Sequence, residues 1–332
     1  MTTGKKIITI VGVTGNQGSS VASVFLGEPE WTVRGISRDP LKPASKAWIE
    51  KGVEVIAGNL DSVPSIAHAV HGSHVVFGNT DFWTHYSNPS THARAAAEGR
   101  AANVVAYDLE VAQGKKMIDA VATTTTATLD RFILSTLSDT RGISRGKFMN
   151  NFHFDAKWQQ VVYLRDTYPA LWQKTSLLQL GIFASNWKMP GAHAPVKQKD
   201  GTFKVSMAIG GDVKFPMVDA NADTGQLVKA LVEVAPGKHL IGAGSYLSWI
   251  EWCEIWSKVN GVTCTFERTD RKVIEDAMGP VGVEFADMLQ YIDEFGYDGG
   301  DPTVIYPWDL DVDVNVTTAE EYVKRQDWSS IL

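Results

Sequence analysis

Cysteine is scarce in this chain of 332 residues, which has only Cys253 and Cys264. Two thiols cannot form a disulfide framework, and a core of this length needs none. Both lie in apolar runs, Trp249 to Trp256 and Val262 to Phe266, so they are expected as buried thiols in a reducing compartment. No Cys-x-x-Cys and no His-rich spacing suggests metal. Long apolar runs are missing as well: none approaches bilayer length, and the start Met1-Thr2-Thr3-Gly4-Lys5-Lys6 has no apolar signal core. The expectation is a soluble intracellular protein, cytoplasmic or also nuclear, with no membrane partner. Positive charge is in deficit, since 31 Lys and Arg against 38 Asp and Glu leave a net −7. That argues against the basic footprint of direct nucleic-acid binding, so any regulatory role would run through a protein partner.

What the chain does have is glycine at one telling place. The stretch Thr9-Ile10-Val11-Gly12-Val13-Thr14-Gly15-Asn16-Gln17-Gly18 joins an apolar strand to an amphipathic run. Gly12, without a Cβ, permits a tight turn out of the strand, and Gly15 lets the backbone approach a pyrophosphate. Gly18 lets the helix through Val21, Val24 and Phe25 pack closely on the sheet. Free N–H groups and the positive dipole end of that helix then face the phosphates. A Walker-type loop is excluded, because Gly18 is followed by Ser19-Ser20 and no lysine. The segment predicts a dinucleotide site; a purely structural turn is the alternative.

Cofactor choice turns on Gly35-Ile36-Ser37-Arg38-Asp39-Pro40. An acid at the end of the second strand accepts hydrogen bonds from the 2′-hydroxyl of NAD, and Ser37 and Arg38 stand there instead. A planar guanidinium suits a 2′-phosphate, so NADP(H) is the expected cofactor, although Asp39 pointing inward would tolerate NAD. Other expected contacts lie at strand ends. Asn59 and Leu60 follow the third strand beside the adenine, Asn79 and Thr80 follow the fourth at the topological switch point, and Phe183 and Asn186 follow the sixth, where related folds wrap the nicotinamide. Each of these polar residues also has a plainer reading, as a loop group satisfying backbone.

Strand-like runs at Ile7 to Val11, Thr32 to Ile36, Val53 to Ala57, His74 to Phe77, Arg131 to Leu134 and Ser176 to Leu180 alternate with helical patterns. Those patterns include an Ala-rich segment from about Arg94 to Ala127 that ends in four threonines. The alternation predicts an α/β protein: a doubly wound parallel Rossmann sheet over residues 1–187, then a smaller C-terminal α+β lobe for substrate or partner over 188–332, with the chain free to cross back to the sheet. Met189 to Pro195 reads as the loop leaving the sheet and Asp200-Gly201 as a hairpin turn. Asp219, Asp223 and Gly225 read as preceding a helix. Trp249, Trp252 and Trp256 have helical spacing and are expected to pack the smaller lobe, with Trp328 in a docked tail.

The spelling of the glycine loop, the Arg38-Asp39-Pro40 ending, His153-Phe154-Asp155-Ala156-Lys157, and Leu180-Gly181-Ile182-Phe183 with Asn186-Trp187 resemble the NmrA-like family of atypical short-chain dehydrogenase/reductase proteins over most of the chain. The resemblance implies NADP(H) binding on a Rossmann domain, in a family divided between true reductases and cofactor-sensing regulators; the His153–Lys157 segment is similar to the sensor branch. Short-chain dehydrogenases of the usual kind carry Tyr-x-x-x-Lys, a spacing that sets both side chains on one helix face, the lysine holding the nicotinamide ribose and activating the phenol. Lys157 is kept here and His153 replaces the tyrosine, a group able to shuttle a proton near neutral pH. Ser135 and Thr136, ending the fifth strand, stand where the family's substrate-polarising hydroxyl is expected. Two readings follow. The favoured one is an NADPH-dependent reductase of a small carbonyl, imine or enone; the other is a non-catalytic NADP(H) redox sensor acting through protein partners. A backbone-bonded His153 and a solvated Lys157 remain open alternatives.

Overall fold

The computed structural model describes residues 4–189 and 193–332, so the readings on Met1 to Thr3 and on Pro190 to Ala192 lie outside the described residues. The first half alternates β1 (Lys6–Val11), α1 (Asn16–Leu26), β2 (Trp31–Ser37), α2 (Pro43–Glu50), β3 (Glu54–Ala57), α3 (Val63–Val70), β4 (Val75–Gly78), α4 (Phe82–Tyr86), α5 (Pro89–Glu98), α6 (Ala102–Thr124), β5 (Arg131–Thr136), α7 (Thr140–Ile143), α8 (Phe152–Thr167), α9 (Pro169–Trp172) and β6 (Thr175–Leu180). The second half adds β7 (Ile182–Phe183), β8 (Val196–Lys197), β9 (Phe203–Met207), β10 (Lys214–Val218), α10 (Ala220–Glu233), β11 (His239–Gly242), β12 (Ser245–Ser248), α11 (Trp249–Asn260), β13 (Cys264–Arg268), α12 (Arg271–Met278), α13 (Pro280–Phe295), β14 (Val304–Ile305) and α14 (Ala319–Arg325).

Eight strands form one parallel sheet in the order β3-β2-β1-β4-β5-β6-β11-β14. Short runs such as Ile7-Ile8-Thr9-Ile10-Val11 suit it because a parallel strand is covered on both faces. Ile8 and Ile10 pack toward α1 and α10, while Val11, Phe132 and Leu134 pack toward α3, α6 and α8. The order reverses between β1 and β4, and this doubly wound arrangement opens a crevice at the carboxyl ends of those strands. The Ala-rich segment resolves into α5 and α6, broken where Gly99 takes φ +63, and α6 ends inside the threonine run at Thr124.

After β10 the chain returns to the large sheet through α10, β11 and β14. The sequence reading set Asp219, Asp223 and Gly225 ahead of a helix, but α10 starts earlier. Asp219 caps it, accepting from Asn221 N–H at 3.1 Å, and Gly225 lies inside it. The physical reason is close helix contact: a Cβ on Gly225 would collide with the carbonyl oxygen of Ser20 on α1, and Gly225 N–H donates to Ser20 Oγ at 2.9 Å.

The remaining elements build the smaller lobe, with three-stranded sheets β7-β10-β12 and β8-β9-β13. Gly201, at φ +86, turns the antiparallel pair β8–β9 as the Asp-Gly signal predicts. Trp249, Trp252 and Trp256 are buried in the lobe core, and both cysteines are buried free thiols. Trp328 docks there too, its indole donating to Val323 O at 2.8 Å and its ring 4.2 Å from that of Trp187. Among the described residues no helix is long and apolar enough to cross a membrane, and no group of three or more metal-ligating side chains gathers.

Candidate active site

The glycine loop leaves β1 at Gly12, whose φ of +72 only glycine adopts without strain. Gly15 N–H donates to Gly12 O at 3.0 Å, closing the turn, and a Cβ on Gly18 would run into that same carbonyl. Gly15 differs. It has φ −88, and a Cβ there would lie 3.4 Å from Gly12 O, an ordinary contact, so the protein itself does not require glycine at that position. Gly12, Thr14, Gly15 and Asn16 are exposed, and Gln17 is half-buried. α1 starts with no side-chain cap and no acid in its first turn, so its leading N–H groups and positive dipole end are left for an external anion.

At the end of β2 the three polar residues have different roles. Ser37 Oγ is spent on the local turn, bonded to Ser45 Oγ at 2.8 Å and accepting from Asp39 N–H at 3.3 Å. Asp39 points its carboxylate at Leu41 N–H, 2.9 Å away. Arg38 is exposed and bonds no described residue. Asn59 Oδ1 accepts from Asp61 N–H at 2.9 Å in its own turn, and Leu60 packs on the α3/α6 side of the sheet.

The turn from β4 into α4 is the meeting point of the remaining chemistry. Lys157, on α8, sends Nζ to Thr80 O at 2.7 Å and to Glu110 Oε1 on α6 at 2.9 Å. Thr80 Oγ1 donates to the same carboxylate oxygen at 2.7 Å and accepts from Gln160 Nε2 at 2.9 Å. Gly114 makes room for this, since a Cβ there would strike the Gln160 side chain. Glu110 is wholly buried, and its Oε2, like Asn79 Oδ1 beside it in sequence to Thr80, has no described partner.

One turn earlier on α8, His153 is nearly buried. Its Nδ1 and its backbone N–H meet Glu284 Oε1 of α13, at 2.7 and 3.0 Å, while Asn103 Nδ2 donates to Glu284 Oε2 at 3.0 Å. Its ring lies against Trp83 and Phe82 of α4, with centroids 5.1 and 5.9 Å away, and Trp83 stacks on Phe285 at 5.3 Å. The side chain keeps 9 % of its surface exposed and Nε2 bonds no described residue, so Nε2 is the open nitrogen of the ring. Burial pushes Asp155, in the first turn of α8, up to about 7, partly offset by the Arg141 N–H it accepts at 3.1 Å and by the Arg141 charge. Burial and the Glu284 charge raise the Tyr86 phenol.

The structure therefore brings Thr80, Lys157 and His153 together. Thr136 and Ser135 end the neighbouring β5, opposite Gln179 and Leu178 of β6, and strand alternation turns their side chains to opposite faces. Phe183 lies on β7, paired with Val218, and Asn186 in the short 3-10 turn Ala184–Lys188, with no described hydrogen bond to Lys157 or His153. Sequence reading missed Glu110 and Glu284. Each lies in a largely apolar helical run, Val104 to Met117 and Val281 to Ile292, alongside a second acid, Asp108 and Asp287 respectively, so no pattern in the sequence singles it out.

Comparison with known proteins identifies the fold and the family. The chain is 26% identical over 282 residues to the NmrA-like family domain-containing oxidoreductase malD of Malbranchea aurantiaca, covering 81% of this chain and 77% of that one. It is 24% identical over 275 residues to the oxidoreductase FrzB of the same description from a Cladobotryum species, with 79% and 75% covered. In structure it is similar to NmrA, described as a negative transcriptional regulator and solved in complex with NADP, at TM-score 0.66 and 19% identity over 97% of this chain and 95% of that one. It is equally similar to leucoanthocyanidin reductase from Vitis vinifera, solved with NADPH, at TM-score 0.68 and 16% identity over 96% and 98%. The model of the NmrA-like family matches residues 4–332, nearly the whole chain, and the protein belongs to that family.

Proposed function

We propose that this protein binds NADP(H) in the crevice between β1 and β4 and reduces a small carbonyl, imine or enone there, with His153 as proton donor. The observation that carries the reading is the convergence of His153 and Lys157, one turn apart on α8, on the turn after β4 at the mouth of that crevice. The residues fit the cofactor: the clearance at Gly15, the uncapped start of α1 and the exposed Arg38, which bonds no described residue, offer room, N–H donors and a guanidinium to a pyrophosphate and a 2′-phosphate. When bound, the nicotinamide supplies the hydride.

The chain's own residues do the rest. Lys157 commits two short hydrogen bonds, to Thr80 O and Glu110, which fix Nζ at the end of β4; its third contact, to Thr80 Oγ1, is long at 3.4 Å, and a ribose hydroxyl would replace it. Protonated His153 releases the Nε2 proton to the substrate oxygen or nitrogen as negative charge develops there, and the ring returns to its neutral form. Trp83, Phe82 and Phe285 keep water from the ring, which strengthens each polar contact around it. Ser135 and Thr136 turn to opposite faces of β5, so one of them at most offers the hydroxyl that polarises the substrate carbonyl. Buried thiols at Cys253 and Cys264 suit a reducing cytoplasm.

The test is NADPH oxidation across a panel of carbonyl, imine and enone compounds. Lys157→Ala should abolish most of the rate found, and His153→Phe should lower it while leaving cofactor affinity nearly unchanged. A rate indifferent to Lys157→Ala defeats the assignment. A second reading has its own support in the similarity to NmrA, whose description is a regulator and which was solved with NADP and with NAD. In that case cofactor binds without turnover, and a protein partner is exchanged between the NADPH-bound and NADP+-bound forms.

A further inference from the structure

We infer that Glu284, delivered by α13 of the smaller lobe, is a positioning residue for His153: it fixes the imidazole with its proton on Nδ1, so that Nε2 faces the substrate. The inference rests on the proposed reductase reading for its catalytic consequence, but its structural content is independent of turnover.

Three observations carry it. Glu284 Oε1 receives two hydrogen bonds from one residue, His153 Nδ1 at 2.7 Å and His153 N at 3.0 Å, so ring and backbone are pinned to the same oxygen. A carboxylate accepts and cannot donate, hence the nitrogen facing it must carry hydrogen. Glu284 is itself immobilised: it is wholly buried, and Asn103 on α6 donates to its other oxygen at 3.0 Å and to Pro280 O at 3.2 Å. Finally, the N-terminus of α8 has no side-chain cap of its own: Asn151 Nδ2 donates to Thr140 Oγ1 at 2.8 Å and its Oδ1 meets no described N–H, and Glu284, 131 residues away in sequence, supplies the acceptor for His153 N–H. A carboxylate behind an imidazole sets the tautomer and stabilises the imidazolium that must exist before Nε2 can give up a proton. The proton-donating unit is thus assembled from both halves of the chain, α8 providing the ring and α13 the carboxylate.

The experiment is long-range 1H–15N spectroscopy of the full-length protein labelled with [15N]histidine, with the His153 signals assigned by their loss in His153→Gln. The expected result is an Nδ1 that carries a proton at every pH examined. In Glu284→Gln or Glu284→Ala, a substantial fraction of the neutral ring should shift its proton to Nε2. Glu284→Gln keeps the shape of the site should the alanine variant fail to fold. On any substrate found, these variants should lower kcat by on the order of tenfold or more, within the 10²–10⁴-fold a positioned proton donor supplies, with KM little changed. A bare Nδ1 in the parent protein, or an unchanged tautomer in every folded variant, overturns the inference. Absence of any turnover would defeat the reductase reading instead, and the tautomer would still decide this one.

Discussion

Between Val11 and Ser19 the chain leaves its polar groups open, whereas around His153 and Lys157 it closes nearly all of them. The loop exposes Gly12, Thr14, Gly15 and Asn16 and leaves the start of α1 uncapped. The α8 site buries Glu110 and Glu284 completely and pairs each with a cation or an imidazole. The first region is built to be completed by something outside the chain. In the second, the chain supplies its own partners across 47 and 131 residues of sequence, so altering one partner there reaches the fold before it reaches function.

That contrast is broken most forcefully at Glu110. Glu110→Ala strands the Lys157 ammonium, which is only 11% exposed, without its countercharge. A loss of about 3–5 kcal/mol of folding stability is expected by denaturant titration. Glu110→Leu combined with Lys157→Met should recover most of it, because the pair is then replaced by apolar volume; failure to recover would mean that Glu110 does more than neutralise Lys157. The opposite behaviour is expected in the loop. Gly15→Val should weaken NADP(H) by at least about 100-fold, roughly 2.7 kcal/mol, while the cofactor-free melting temperature hardly moves, since the backbone at φ −88 accepts any residue and the Cβ meets nothing closer than 3.4 Å. Gly18→Val serves as the control that should unfold, because its Cβ collides with Gly12 O. Calorimetry and thermal melting of both variants check the pair.

Asp155 sharpens the comparison through pH. Its folded carboxyl is pushed up to about 7 by burial, against about 3.9 in an unfolded chain, so the folded state holds the proton more tightly. Stability is therefore greatest below about pH 4 as far as this group is concerned, and is lost as pH rises through 7; Asp223, up to about 6, acts in the same direction. Asp155→Asn should flatten the dependence between about pH 4 and 7 and raise stability at pH 8 by on the order of 2–4 kcal/mol. Equal slopes for parent and variant in urea titrations across that window would refute the assignment.

How much of this was legible follows from the same contrast. The glycine loop and the strand–helix alternation are local patterns, and the six strands they imply are six of the eight in the observed sheet. The return of α10, β11 and β14 to that sheet was less legible. β14 is two residues long, and Gly225, read as preceding a helix, is a packing position whose reason lies on α1. The carboxylates were missed because each shares its helical run with a second acid, Asp108 or Asp287, and nothing local tells which partner either one meets. Neither spacing nor composition tells that Glu110 meets Lys157 or that Glu284 meets His153. Ser37 shows the reverse case, a residue in a recognised position whose hydroxyl the turn consumes through Ser45 and Asp39.

Arg38 is the subtlest test, because it belongs to the open region yet makes no use of glycine geometry. With Ser37 tied to Ser45 and Asp39 turned onto Leu41 N–H, the guanidinium is the group at the end of β2 left to meet an adenosine ribose. A 2′-phosphate would gain charge-assisted, bidentate hydrogen bonds there that a 2′-hydroxyl cannot match. The parent protein should therefore bind NADPH more tightly than NADH, and Arg38→Ala should shrink that preference by about 1–3 kcal/mol without altering NADH affinity. Because the site is exposed, the preference should also fall as salt is raised. Titration calorimetry of both cofactors at two ionic strengths measures all of this. Equal affinities in the parent protein would move the discriminating role from Arg38 to Asp39, whose carboxylate would then have to leave Leu41 to receive the 2′-hydroxyl of NADH.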